Sequence, residues 1–340
     1  NYSIALGNYA LTALQETGSG SVTSAVAVGD HAEATADRAV ALGKEAHGSG
    51  TDSLALGTSS SAMAASSVAI GNGAAAGSGA AASIAIGKGA AVNGTHSGVL
   101  GRTLSSGGVR TATVLNGSDS YVVGNGSGLV QGINSSFIGN SNTIGTTVSD
   151  TNGKAYVYST SNTGILGNSN TVTAKNSSVI GYDNTAGKKS SKANTYDYAE
   201  SSGIFGNTNT VTGSGNKIIG NNNSDSDLND VLILGNNVTA GLENSAYIGS
   251  GAAYAASGTT TAGADSYGSV TVGNGTYTFA GASASGVVTV GSVGSERRIQ
   301  NVSAGLVTAG STDAVNGSQL YTLTRPLRFA GDNSTVGSYA

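Results

Sequence analysis

Few residues in this sequence have the types and spacing that chemistry needs. There are three histidines, His31, His47 and His96, and no cysteine. A transition-metal site wants His, Cys or carboxylate ligands at short fixed spacings, and each histidine stands in a turn-like segment at an unrelated phase. Serine is abundant, yet no G-x-S-x-G lies between a strand pattern and a helix pattern, where a nucleophile elbow would form. Gly124-Asn125-Gly126-Ser127-Gly128 is glycine-rich like a phosphate loop, but no helix or lysine follows it. Asp225, Asp227 and Asp230 make a small acidic turn, read either as a weak Ca²⁺ site or as a solvated insertion. No cofactor, no metal centre and no enzymatic activity are expected.

Two stretches carry side chains suited to contact. One holds Lys154, Tyr156 and Tyr158; the other holds Tyr182, Lys188, Lys189, Lys192, Tyr196 and Tyr198. Tyrosine offers apolar area and a hydroxyl at low entropic cost. Lysine beside it suits sialylated or sulfated glycans, or acidic protein patches. The competing reading is that these tyrosines cover the fold or meet a neighbouring chain.

The elements that must position them follow from composition and period. Charged residues are only 10% and glycine is 54 of 340 residues, which leaves either low-complexity disorder or a repeat packed through small side chains. The net charge of −4 comes with no basic cluster, which argues against a nucleic-acid partner. No run of about 18 apolar residues is present to span a membrane as a helix. No signal peptide is visible at Asn1, and the chain reads as a fragment whose membrane anchor lies elsewhere.

Periodicity decides for the repeat. A short apolar run closed by glycine recurs from Ser3-Ile4-Ala5-Leu6-Gly7, through Ser67-Val68-Ala69-Ile70-Gly71, to Val270-Thr271-Val272-Gly273 and Val288-Thr289-Val290-Gly291. The commonest spacing is that of Gly43, Gly57 and Gly71, fourteen residues. That is too short for strand–helix–strand and fits two strands and two turns. Val68 and Ile70 share one face of the strand and Ala69 the other. The mid-strand alanines Ala27, Ala41, Ala55, Ala69 and Ala85 are read as a flat second face through which identical chains approach. One coil buries too little apolar surface to offset its ordering, so self-association is expected. Residues 115–249 turn Asn-rich, read as one continuous roll with a changed outer strand, whose stacked asparagines bond coil to coil. The period breaks at 8–24, 102–120, 140–163, 182–201 and 250–267, and loops on a rigid frame are the usual recognition elements. No helical period precedes residue 300. Beyond it, Thr312 or Asp313 is a fair N-cap for a helix over 314–323, which Pro326 would stop.

The fourteen-residue pattern [S/A]-[V/I/L]-A-[V/I/L]-G, strongest over residues 25–101, resembles the YadA-like head repeats of trimeric autotransporter adhesins. Arg298 to Gly305 and Thr312 to Leu320 resemble the neck of the same family. The resemblance implies an all-β, left-handed parallel β-roll, homotrimeric, ending in a neck with a short helix. It implies a head over 1–291, a trimeric neck over 292–323, and at 324–340 the start of a truncated β-rich module. In that neck Asn301, Asp313, Asn316 and Gln319 would make polar contacts between protomers. Ile299, Val302, Val315 and Leu320 would pack on the axis, with Gly305 between the two motif halves. The implied role is a cell-surface adhesin head, anchored in the outer membrane of a Gram-negative-type bacterium. Its implied partners are itself and a host surface or matrix protein, a glycan, or another bacterium. The alternative is a structural spacer that presents binding modules located elsewhere.

Overall fold

The structure, a computed structural model, describes residues 2–12, 22–106, 109–111, 114–126, 132–149, 155–158, 160–187, 200–259 and 261–323. Its frame is a parallel sheet of sixteen short strands, from Ile4–Leu6 to Val288–Thr289. Every glycine-ended run except Val270–Gly273 supplies one strand, in register with the next: Val26, Ala27 and Val28 pair with Val40, Ala41 and Leu42. A second ladder of two-residue strands backs the first. It has a six-stranded part from Glu33–Ala34 to Val114–Leu115 and a four-stranded part from Thr143–Ile144 to Thr210–Val211. Each coil is therefore long strand, corner, short strand, corner, and the molecule is a parallel β-roll.

The corners explain the half-period. Ser24, His31, Arg38, Glu45, Asp52, Ser59 and Ser66, seven residues apart, all take the left-handed conformation, with φ between 54° and 59°. Each corner N–H bonds the coil before it, as Glu45 does to the Asp30 carbonyl at 2.9 Å and Ser59 to that of Lys44 at 2.8 Å. Asn, Asp and Ser tolerate this region best among residues with a Cβ. The glycine closing each long strand has a stricter reason. Gly181 has φ +137°, and a Cβ there would lie 1.8 Å from the Gly206 carbonyl oxygen of the next coil. Gly181→Ala is expected to lose about 3 kcal/mol, from strain and coil separation together. Gly164→Ala, where nothing lies within 4 Å of the added carbon, should be close to neutral. Thermal unfolding followed by circular dichroism compares the two.

The roll is inside out relative to the sequence reading. The alanines expected on the outer approach face are its interior: Ala27, Ala41, Ala55, Ala69 and Ala85 are all 0% exposed. They face Ala34, Ala62 and Ala76 of the short strands, also fully buried. Alternation fixes that Ala69 and Val68 lie on opposite faces, but not which face is inward. A coil this narrow has room inside for methyl groups, so the branched side chains turn outward.

In the Asn-rich half the interior changes as well as the short outer strand, whose outward residue becomes threonine. Val172, Val179, Ile204, Val211 and Ile218 replace the alanines, and two polar ladders run beside them. Asn142, Asn170, Asn184, Asn209 and Asn223 form a buried amide stack, with Nδ2 of Asn184 donating to Asn170 Oδ1 at 2.9 Å and to the Gly206 carbonyl at 2.7 Å. At the other corner a hydroxyl ladder runs through Ser83, Ser97, Ser120 and Ser135, each Oγ accepting the N–H of the next member. Coil-to-coil bonding by asparagine thus occurs both inside the roll and along an exposed corner.

Val270-Thr271-Val272-Gly273 is not a coil. Ser269–Val272 pairs antiparallel with Gly275–Thr278, and the long sheet passes from Ala246–Ile248 directly to Val288–Thr289. The break expected at 250–267 therefore runs on to 287. Tyr247 closes the interior here, its hydroxyl accepting the Gly241 and Leu242 N–H groups at 2.9 Å. Beyond the roll the helix is Gly317–Leu323. Its cap is Asn316, not Thr312 or Asp313. Asn316 Oδ1 accepts the Gln319 N–H at 3.1 Å while Gln319 Oε1 accepts the Asn316 N–H at 3.2 Å, a reciprocal capping box.

Candidate ligand-contact surface

The two outer faces of the roll differ in kind. The long sheet turns a row of large apolar side chains outward: Leu100, Ile138, Leu166 and Phe205 are 53%, 58%, 51% and 58% exposed, and Ile180, Ile219, Leu234 and Ile248 continue the row. A contiguous apolar stripe of this length on one sheet face marks a surface made to be covered. The face of the short strands is polar, with Thr143, Thr171, Thr185 and Thr210 in register across consecutive coils.

Both Tyr/Lys insertions border the polar face. The first leaves the roll after Thr143–Ile144, and its hairpin pairs Thr146–Ser149 with Ala155–Tyr158. The second leaves after Thr185–Ala186. These short strands both pair with Thr171–Val172, so the two stems stand at the same corner with one coil between them. Tyr156 and Tyr158 lie on the hairpin's second strand, opposite Val148 and Thr146. Lys154, Lys188, Lys189, Lys192, Tyr196 and Tyr198 lie outside the described residues. Tyr182 does not join this corner. It is exposed at the opposite one, between the long and short strands, where its N–H bonds Asn207 Oδ1 at 2.9 Å. There it interrupts an outer amide ladder seen at Asn125–Asn140 and Asn207–Asn221.

The acidic turn does not assemble a Ca²⁺ site. Asp225 is buried, and its carboxylate accepts the Thr212 and Gly213 N–H groups at 2.7 and 3.0 Å and the Asn216 amide at 2.6 Å. Asp227 and Asp230 sit on exposed left-handed corners. Asp225 is thus an interior acceptor, a role the sequence hid because an Asp in a polar turn ordinarily faces solvent. Each histidine pairs with one carboxylate on the exposed surface, His31 with Asp30, His47 with Glu33 and His96 with Asp119. No group of three metal-ligating side chains occurs among the described residues. The Asn8 amide holds the Asp30 carboxyl below its usual range, and Arg38 does the same for Asp52 one coil away. These exposed pairs tune the surface without building a site.

In the neck, residues expected to bond between protomers are engaged within their own chain. Gln319 brackets Gly305, accepting its N–H at 2.9 Å and donating to its carbonyl at 2.6 Å. Asp313 accepts the Leu306 N–H at 2.9 Å, and Asn316 donates to the Val302 carbonyl at 3.1 Å. Asn301 takes a left-handed corner, with φ 60°. A Cβ on Gly305 would lie 2.3 Å from the Ala314 carbonyl oxygen, so this close approach requires glycine. Ile299, Val315 and Leu320 are exposed, and Val302 is half-buried.

Stacked two-strand coils closed by glycine, with alanine inside, are followed by a segment that ends in a capped helix. Residues 23–46 and 49–74 match the YadA head domain repeat, and residues 298–340 match the coiled stalk of trimeric autotransporter adhesins. Over these segments the chain is similar to the trimeric autotransporter adhesins. It is similar to the autotransporter adhesin BtaE of Brucella suis biovar 1 (strain 1330), 61% identical over 44 residues, which is 13% of this chain and 6% of that protein. The chain thus spans a small part of that relative's length. Among solved structures it is similar to the C-terminal YadA-like domain of a Burkholderia pseudomallei protein, at 32% identity and a TM-score of 0.26, covering 35% of this chain and 47% of that one.

Proposed function

We propose that this chain is the head of a bacterial surface adhesin that works as a homotrimer and binds its target through the corner bearing the two Tyr/Lys insertions. The observation that carries this reading is the division between the two outer faces. The exposed aliphatic row of the long sheet fits a seam between copies of the chain, and it leaves the polar face and its insertions turned outward. Three copies would present three such corners, so weak single contacts sum to useful avidity. Anchoring in the outer membrane would come from sequence outside this chain. The target would be a host surface or matrix protein, a glycan, or another bacterium.

Removing residues 146–158 and 188–199, so that both corners resemble the uninterrupted Thr173-Ala174-Lys175-Asn176, tests the reading. The expected result is at least a tenfold loss of binding to host cells and to matrix-protein and glycan arrays, with sedimentation unchanged. Unchanged binding would overturn the contact role and favour a spacer that presents modules elsewhere.

A further inference from the structure

Six consecutive coils place a hydroxyl side chain at one register of the short-strand face: Thr143, Thr171, Thr185, Thr210, Ser224 and Thr239. Thr171, Thr185, Thr210 and Thr239 are exposed, and Thr143 and Ser224 are half-exposed. The inward neighbours Ile144, Val172, Ala186 and Val211 are fully or almost fully buried, which holds each threonine in place. Among the described residues the hydroxyls of Thr143, Thr171, Thr185 and Thr210 have no hydrogen-bond partner, whereas Ser224 Oγ donates to Thr239 Oγ1 at 3.3 Å, and Thr173 and Thr212, further along the same short segments, bond the chain. From Thr143 to Thr210 the rank is therefore a row of stiff β-branched side chains whose hydroxyls can donate and accept, repeating at the strand spacing of about 4.8 Å.

This row lies on the short strands, not on the glycine-ended runs, which form the other sheet. A row of identical groups at a fixed spacing is used in full only by a ligand that itself repeats. An irregular protein surface, without stacked repeats, has no such period. A crystalline lattice such as ice has one, but it needs an open plane. Here the hairpin of Thr146–Ser149 and Ala155–Tyr158 leaves the roll at Gly145, along one edge of the row, so the face is a strip bounded on that side. A strip of alternating methyl and hydroxyl groups suits a linear sugar chain, which offers C–H faces and hydroxyls in repeating order.

We infer that this threonine strip is a binding site for an extended, neutral, β-linked polysaccharide lying along the roll axis, near one sugar per coil. The inference rests on the adhesin reading and names the ligand class for its polar face. Titration calorimetry of the trimeric head with cellohexaose, chitohexaose and laminarihexaose, and with their shorter oligomers, tests it; maltohexaose, which coils, is the control. Binding by at least one β-linked series should tighten from two sugars to six and persist in molar salt, since no charge is involved. The triple variant Thr171→Val, Thr185→Val and Thr210→Val keeps shape and strand preference while removing three hydroxyls. It should weaken hexasaccharide binding by tenfold or more, with an unchanged circular dichroism spectrum.

Absence of binding in all β-linked series, affinity independent of length, loss of binding in salt, or full binding by the triple variant would each overturn the proposal. So would adsorption to ice without glycan binding. Failure here with continued loss of cell binding on loop removal leaves the adhesin reading standing. Intact glycan binding in the loop-deleted protein separates the strip from the insertions.

Discussion

With Ile180→Asp and Phe205→Asp introduced together, the chain is expected to sediment as a monomer under conditions where the unaltered chain sediments as a trimer. Ile180 and Phe205 are partners across adjacent strands of the long sheet, and both point away from the roll's interior. Covering the exposed half of such side chains contributes roughly 1 kcal/mol each per copy. Three symmetric copies forfeit that contribution at six positions. The larger effect is the carboxylates, which cost several kcal/mol to bury in an apolar seam without partners. The matched control is Thr185→Asp and Thr210→Asp on the opposite face, which should leave the trimer intact. Dissociation by both pairs, or by neither, would contradict the assignment of the long-sheet face to the seam.

Asn184→Ala carries the largest expected loss of fold stability from a single polar side chain. Asn184 Nδ2 donates to Asn170 Oδ1 and the Gly206 carbonyl, and its Oδ1 accepts both the backbone and side-chain amides of Asn209, at 3.0 and 2.9 Å. Truncation leaves the Gly206 carbonyl and two Asn209 donors buried without partners. At about 1–3 kcal/mol for each of the three orphaned groups, the loss is roughly 3–9 kcal/mol. Val172→Ala, a neighbouring interior change that orphans nothing, should cost less, about 1–3 kcal/mol. Amide hydrogen exchange over residues 165–211 reads the effect locally, which matters because repeat arrays do not unfold as one unit. Equal loss in the two variants would show that the stack is filler rather than a satisfied network.

Much of this fold is legible in the sequence because glycine and the fourteen-residue period are enforced by backbone contacts that no side chain can replace. The coil count at Val270–Gly273 misleads because a strand pattern alone does not say whether its partner is the preceding coil or the next few residues. The alanine face is misassigned for a different reason. Ordinary folds put the larger apolar residue inside, and only the narrowness of this roll reverses that. The contact surface is harder still. Gly145 and Gly187 are far apart in the chain, and their shared corner emerges only once the intervening coil is in place. The threonine row is concealed in the same way, one residue per coil among segments rich in Thr, Ser and Asn. The neck reads well as a motif, yet Asn316 and Gln319 serve their own helix end, which a list of polar residues does not reveal.

The amide stack also bears on how such a head carries force. Bonds between successive strands of a parallel sheet run along the roll axis, so a pull on the roll loads its coil interfaces in series, and the weakest one yields. If the proposed corner holds the target and the anchor lies beyond the neck, tension would pass toward the neck through the coils after Thr185–Ala186, up to where Arg297 clasps the Ser250 and Val290 carbonyls. Those are the coils fastened by Asn184, Asn209 and Asn223. The alanine-filled coils lie on the far side of the grip and bear none of the load. The asparagines would then act as mechanical reinforcement, placed along the tether between what is caught and what holds it.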